Sequence, residues 1–239
     1  MKKSGIKKNR FFCFLKGVVY YPFKLLYPTT VVGRHNFVKG KSITVSNHLK
    51  WTDVFLIYLY LPGFRHMLGK KELGKNKFVN FLCKKLEVIL VDRGSTDLSS
   101  IRTIVNYLKN GEVISLFPEG TRNKMDDDIK AVKSGAVMFA LKADAVLSPI
   151  MIYSHSKLFK RNYMYIGKPF DFSEYKGIRT TPEILNEGAD KLSNIMKQNK
   201  NFLDNAVNNG QIKKLISIDK SFEVTEKLYE KTIKKFGEK

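Results

Sequence analysis

Apolar positions change their spacing along this chain. Over residues 11–27 (FFCFLKGVVYYPFKLLY) aromatic and aliphatic side chains crowd between lysines, as on an amphipathic helix, and the stretch stops at the breakers Pro28 and Thr29. Beyond it, short apolar runs alternate with helical spacing. Residues 42–46 (SITVS) predict a strand, 51–60 an apolar helix ending before Leu61-Pro62-Gly63, and 65–68 a further strand. Residues 76–85 put Phe78, Phe81 and Leu82 on one helical face. The run 87–91 (EVILV) predicts a buried strand. A helix follows, with Ser95 or Thr96 as its cap, running to about Lys109 and stopped by Asn110-Gly111. Residues 112–117 (EVISLF) predict the next strand, 133–142 a helix and 146–153 another strand, and the Lys/Asn-rich segment from about Pro182 is helical in pattern.

Strands alternating with helices predict an α/β fold: a mostly parallel central sheet flanked by helices, with an N-terminal amphipathic membrane-associating helical segment. The expected division is a basic amphipathic membrane-anchoring segment at residues 1–30, an α/β core at 31–175 and a C-terminal helical extension at 176–239, packed on the core. Ligands of such sheets bind at the carboxyl ends of the strands, so the residues just after each strand carry the interest.

Charge narrows the partners. The 239 residues hold 43 Lys+Arg against 22 Asp+Glu, a formal net charge of +21 that attracts polyanions. No nucleic-acid-binding signature accompanies the charge, so no nucleic acid is expected and an anionic leaflet is the better partner. Residues 11–27 contain Lys16, Pro22 and Lys24, which disfavours a membrane span and suits a helix lying in the interface, flanked by Lys2, Lys3, Lys7, Lys8 and Arg10. Packing on the protein's own core is the other use of such a helix, and different faces allow both. The expected location is the cytoplasmic face of the cell membrane, peripheral or monotopic. No secretory signal is expected, because Lys16 cuts the apolar run. Cys13 and Cys83 read as free thiols of a reducing compartment. No metal or nucleotide site is expected: the run Asp126, Asp127, Asp128 reads as a solvated loop, and the glycines form no phosphate-cradling fingerprint.

The strand SITVS runs straight into Asn47-His48-Leu49-Lys50-Trp51-Thr52-Asp53. In a regular helix, side chains five residues apart diverge by about 140°. His48 and Asp53 can meet only if His48 sits in the strand-to-helix turn and the helix begins near Lys50 or Trp51. A neutral imidazole is then a base suited to neutral pH, and a carboxylate on its far nitrogen fixes the tautomer and stabilises the imidazolium. No Ser or Cys nucleophile stands nearby, so direct attack by a substrate hydroxyl is the simpler chemistry. An isolated H-x-x-x-x-D is more often a solvated histidine beside a helix-capping aspartate.

The strand EVISLF ends in Phe117-Pro118-Glu119-Gly120-Thr121-Arg122. Gly120 permits a tight turn or close backbone approach, Arg122 offers a planar fork that matches phosphate, and Thr121 adds a donor. Arg93 follows the strand EVILV and Lys70 follows the 65–68 strand in the same way. Each alone is compatible with a solvated charge; their shared place after strands points to one phosphate pocket.

Together these residues resemble the glycerophospholipid acyltransferase family, whose signatures have the forms N-H-x-x-x-x-D and F-P-E-G-T-R. NHLKWTD and FPEGTR match both in full and in order, about 70 residues apart. Gly69-Lys70-Lys71-Glu72-Leu73 with Val88-Ile89-Leu90-Val91-Asp92-Arg93, Lys133-Ser134-Gly135-Ala136, Leu147-Ser148-Pro149-Ile150 and Ile166-Gly167-Lys168-Pro169 resemble further family blocks, so the likeness spans roughly residues 30–170. It implies transfer of a fatty acyl group from acyl-CoA or acyl-carrier protein to a lysophospholipid, most often 1-acylglycerol 3-phosphate, giving phosphatidic acid without a cofactor. It implies His48 as base and Asp53 as its orienter. It assigns Asn47, Lys70, Arg93, Glu119, Gly120, Thr121 and Arg122 to the acceptor. The stretch from Gly74 to Glu87 departs from the Pro- and Gly-containing pattern common in the family, which leaves acceptor and chain length open. Another lysophospholipid or a lyso-aminolipid is the alternative acceptor, and a non-catalytic basic membrane- or nucleic-acid-binding module the alternative class.

Overall fold

The computed structural model describes residues 9–92, 97–123, 129–155 and 157–221. Its strands are β1 (Thr29–Val32), β2 (Ser42–Ser46), β3 (His66–Lys70), β4 (Ile89–Val91), β5 (Val113–Leu116), β6 (Val146–Ile152) and β7 (Asn162–Ile166). They form one sheet in the order β1-β7-β6-β2-β5-β3-β4. From β6 to β4 every neighbouring pair is parallel; β7 is antiparallel to β6, and β1 runs parallel to β7. The mostly parallel α/β sheet expected from the sequence is therefore present.

Among the described residues, six helices and a further helical stretch cover the sheet: α1 (Arg10–Leu26), α2 (Asp53–Tyr60), α3 (Lys77–Lys85), α4 (Leu98–Lys109), α5 (Gly135–Ala143), α6 (Pro182–Asn208) and residues 212–221. Two apolar cores result. Ile43, Val45, Leu147 and Met151 face Ile104 and Leu108 of α4, Val137 of α5 and Leu192 and Met196 of α6. Ile150, Ile152 and Met164 face Phe12 and Phe23 of α1 and Leu56 and Ile57 of α2. Strand β6 thus sends alternate side chains to the two faces, as a strand buried on both sides must. Gly188 lets α6 lie close on α5: a Cβ there would stand 2.6 Å from Val137 Cγ1.

Helix α1 starts where the Asn9 side chain accepts the Phe12 N–H at 2.9 Å. Phe12 and Phe23 are buried, and Lys16 donates to the Leu61 carbonyl at 2.9 Å. Burial, and then the Arg65 charge, push the Lys16 ammonium below its ordinary pKa. The opposite side of the helix exposes Phe14, Val18, Tyr21 and Leu25. No described helix is long and apolar enough to cross a membrane.

Several boundaries differ from the sequence reading. Strands β1 and β7 were not expected; each is short, and their pairing depends on residues more than a hundred positions apart. Strand β4 begins at Ile89 rather than Glu87, because Glu87 takes a left-handed φ of +49° that ends α3, with Val88 N–H bonded to the Cys83 carbonyl at 2.8 Å. Asp97 caps α4 through the Ser99 and Ser100 amides; Ser95, Thr96 and the run Asp126–Asp128 lie outside the described residues. Cys13 and Cys83 are free thiols.

Candidate active site

The chain leaves β2 at Ser46, and the next side chain fixes its course. Asn47 is buried; its side chain accepts the Ile152 N–H at 2.8 Å and donates to the Ile152 carbonyl at 3.0 Å. That clip ties the end of β2 to the end of β6. A short turn follows, and α2 begins at Asp53, two residues later than the apolar pattern suggests. The delay has a cause in the side chain: Oδ2 of the fully buried Asp53 reaches back to accept Leu49 N–H at 2.6 Å and Lys50 N–H at 2.7 Å.

The same oxygen lies 3.0 Å from Nδ1 of His48. A carboxylate oxygen already taking two amides is an acceptor, so the contact puts the imidazole proton on Nδ1 and leaves the Nε2 lone pair for a substrate. The ring stacks on Phe117 with centroids 4.0 Å apart and planes at 16°. Held on one edge by Asp53 and on one face by Phe117, the imidazole is 17% exposed. That arrangement has the geometry a general base requires: a fixed ring with one nitrogen open to the outside.

The second signature grips the first. Glu119, buried after β5, accepts His48 N–H through Oε1 at 2.9 Å and Lys130 N–H through Oε2 at 3.0 Å. Asn123 N–H donates to the His48 carbonyl at 2.6 Å. Burial raises the Glu119 carboxyl above its ordinary pKa, and the two amides act in the opposite direction. Gly120 has φ +71°, and the Lys133 side chain lies over it; a Cβ would meet Lys133 Cε at 2.9 Å. Thr121 and Arg122 are exposed at the rim, with the Arg122 carbonyl accepting from Lys130 Nζ at 3.2 Å.

Of the residues singled out in the sequence, Asn47, His48, Asp53, Glu119 and Gly120 converge in the fold. Asn47 and Glu119 direct their side-chain hydrogen bonds to backbone groups of the scaffold. Lys70 is exposed at the end of β3, beside Val91 in register, and Arg93 lies outside the described residues. Phe117 was not singled out, although it opens the FPEGTR signature; its role as a platform appears only when β2 and β5 are neighbours. Behind it, a cavity of about 240 Å³ opens between α4 and α5, lined by Leu68, Val91, Ile104, Leu116, Phe117 and Met138. Among the described residues, no group of three or more His, Cys, Asp or Glu side chains could hold a metal ion.

The chain has relatives among known proteins. A 1-acyl-sn-glycerol-3-phosphate acyltransferase of Bacillus subtilis (strain 168) is 33% identical over 168 residues, covering 65% of this chain and 83% of the relative. A protein of the same name from Borreliella burgdorferi is 28% identical over 192 residues, covering 79% of this chain and 72% of the relative. The crystal structure of the 1-acyl-sn-glycerophosphate (LPA) acyltransferase PlsC from Thermotoga maritima shares the fold, with a TM-score of 0.58 at 22% identity, covering 77% of this chain and 76% of that one. Residues 28–153, which carry β1 to β6 and both signatures, match the acyltransferase family model, and the chain belongs to the acyltransferase family.

Proposed function

We propose that this acyltransferase moves a fatty acyl group from an acyl thioester to the free hydroxyl of 1-acyl-sn-glycerol 3-phosphate, giving phosphatidic acid. The observation that carries the chemistry is the His48–Asp53 pair, 3.0 Å apart, with Nε2 left to a substrate. The acceptor rests on the names of the Bacillus and Borreliella relatives. Nε2 takes the hydroxyl proton as the oxygen attacks the thioester carbonyl. The new C–O bond forms, the C–S bond breaks, and the imidazolium returns the proton to the departing thiolate. Asp53 stabilises the imidazolium between those steps. The thioester carries the activated acyl group, so the reaction needs no cofactor.

Arg122, with Thr121, Lys70 and Arg93, binds the acceptor phosphate at the carboxyl ends of the strands. Gly120 lets the Lys133 side chain lie against the turn, while Asn47 and Glu119 hold the two loops that carry His48 and Arg122. The apolar cavity behind Phe117 accommodates a fatty acyl chain. Acyl-CoA and acyl-carrier protein both suit as donors, since each presents a thioester. The exposed row of α1 lies on an anionic leaflet at the cytoplasmic face of the membrane, with the lysines of a chain of net charge +21 supporting the contact.

The test is acyl transfer from labelled acyl-CoA and acyl-carrier protein to a panel of lysophospholipids, with His48→Ala beside the wild type. Transfer to 1-acylglycerol 3-phosphate that disappears in the variant is the expected result. Transfer to a different lysophospholipid or a lyso-aminolipid instead would keep the base and move the acceptor. Retention of most activity by the variant would sink the assignment of His48.

A further inference from the structure

The connection between β6 and β7 takes no part in the site, yet it lies at the same end of the sheet: Asn47, next to His48, is bonded to Ile152, the last residue of β6. Its residues 157–161 read Lys-Leu-Phe-Lys-Arg, and all five are exposed, Leu158 at 48% and Phe159 at 65%. This segment is held in place. The buried side chain of Asn162 accepts Lys157 N–H at 2.8 Å and donates to the carbonyls of Lys157 at 3.2 Å and Lys160 at 2.9 Å. Phe159 N–H donates to the carbonyl of Leu26, the last residue of α1, at 2.7 Å.

Phe159 also stands at φ +57°, a left-handed conformation that is costly for a bulky side chain and free for glycine. The fold thus maintains a solvent-exposed aromatic ring at a position where glycine would suit the backbone better. Strain of that kind points to a use other than stability. The segment continues the exposed row Phe14, Val18, Tyr21 and Leu25, about 16 Å long at the helical rise, which ends beside Leu26. On the other flank Trp51, 64% exposed, meets Phe55 edge-on, and Phe55 stacks on Phe23 of α1.

We propose that the β6–β7 tip, residues 157–161, is a second lipid-inserting contact. Leu158 and Phe159 enter the headgroup–acyl boundary of an anionic leaflet, and Lys157, Lys160 and Arg161 pair with its phosphates. The proposal rests on the reading of α1 as an interfacial helix and adds what that helix lacks. A single helix lying in a surface is free to roll about its axis. A second contact, carried by the sheet rather than by the helix and bonded to the end of α1, limits that roll and keeps the His48 end of the sheet at the bilayer.

Phe159→Gly is the informative variant, because it removes the ring and relieves the backbone together. Thermal melts should show it at least as stable as the wild type. Its binding to sedimenting phosphatidylglycerol vesicles should nevertheless fall about tenfold, the loss expected for one buried aromatic side chain. Equal binding would overturn the proposal. In a second variant, Trp51→Phe with Phe159→Trp, the only tryptophan stands at the tip, and brominated phosphatidylglycerol should quench it. A protein that sediments with the vesicles but is not quenched would sink the tip and leave α1 as the contact. A wild type that does not sediment at all would sink both. Unchanged vesicle binding by Phe159→Gly, with activity lost only when acyl-carrier protein is the donor, would make the tip a docking site for that acidic protein and overturn the lipid assignment.

Discussion

The carboxylate of Glu119 accepts the backbone N–H of His48 at 2.9 Å, so this side chain joins the Asn123 amide in tying the loop after β5 to the loop after β2. Its other oxygen takes the Lys130 amide at 3.0 Å. Glutamine can accept only one of these amides and would face the other with a donor. Glu119→Gln should therefore cost about 1–3 kcal/mol of stability and lower kcat through displacement of His48, with acceptor KM nearly unchanged. The folded pKa of Glu119 is raised, mainly by burial. Its contribution to stability is fully present below the ordinary carboxylate pKa and is lost as pH rises through the elevated value. The stability advantage of wild type over Glu119→Gln should accordingly shrink across that window, which melts at a series of pH values would measure.

Asp53→Asn separates holding the loop from supporting the base. Oδ2 takes all three hydrogen bonds, while Oδ1 is buried and has no hydrogen-bond partner among the described residues. An asparagine oxygen in the Oδ2 place keeps the Leu49 and Lys50 amides satisfied, and its NH₂ occupies the Oδ1 place. The fold should survive with a loss of about 1–3 kcal/mol for the unpaired donor. The negative charge that stabilises the imidazolium is gone, so kcat should fall, by at most the ~10⁴-fold that losing its orienting carboxylate costs a serine protease. A fall of less than about tenfold, with His48 in place, would remove Asp53 from the proton transfer.

These residues also mark how far the sequence could be read. SITVS predicts β2 to the residue, because five apolar or small residues fed into a polar turn leave no other element. The meeting of His48 with Asp53 was legible once a regular helix was ruled out by the 140° divergence of that spacing. The start of α2 at Asp53 was not, since it depends on a side chain folding back onto its own turn. Asn47 and Glu119 fall in the signatures, but nothing local tells that their partners are Ile152 and the amides of His48 and Lys130. Strands β1 and β7 escaped for the same reason: TTVV and NYMYI become strands by pairing with each other across the chain.

Phe117 supports one face of the His48 ring, with centroids 4.0 Å apart and the planes nearly parallel. Phe117→Leu keeps an apolar filler and removes the flat platform. Activity should fall about tenfold while the melting temperature changes little, since leucine fills much of the same space. The loss should fall on kcat and leave the acceptor KM nearly unchanged, because the platform touches His48.

Arg122 is exposed beside the site, with its carbonyl held by Lys130, so its guanidinium is available to an anionic headgroup. Arg122→Ala should raise the acceptor KM at least tenfold with stability unchanged within about 0.5 kcal/mol. Arg122→Lys keeps the charge and loses the planar fork, and should fall between the two. Steady-state kinetics against acceptor concentration would decide; an unchanged KM would remove Arg122 from the headgroup site.

Helix α1 needs a gentler test than removal. Its buried Phe12 and Phe23 belong to the core shared with Leu56, Ile57 and Phe64, so deleting the helix would uncover that core and confuse unfolding with release from lipid. Replacing exposed Phe14, Val18, Tyr21 and Leu25 by serine leaves the core face intact. Each such exposed apolar side chain contributes about 1.5–3 kcal/mol when it enters the interface, so even half of that in sum should release the protein from anionic vesicles. Melting behaviour should stay close to wild type, because these four side chains are already in water. Vesicle sedimentation of the quadruple variant, beside its thermal melt, checks both halves: binding lost with stability kept assigns the exposed row to the membrane, and binding kept would move the anchor to another surface.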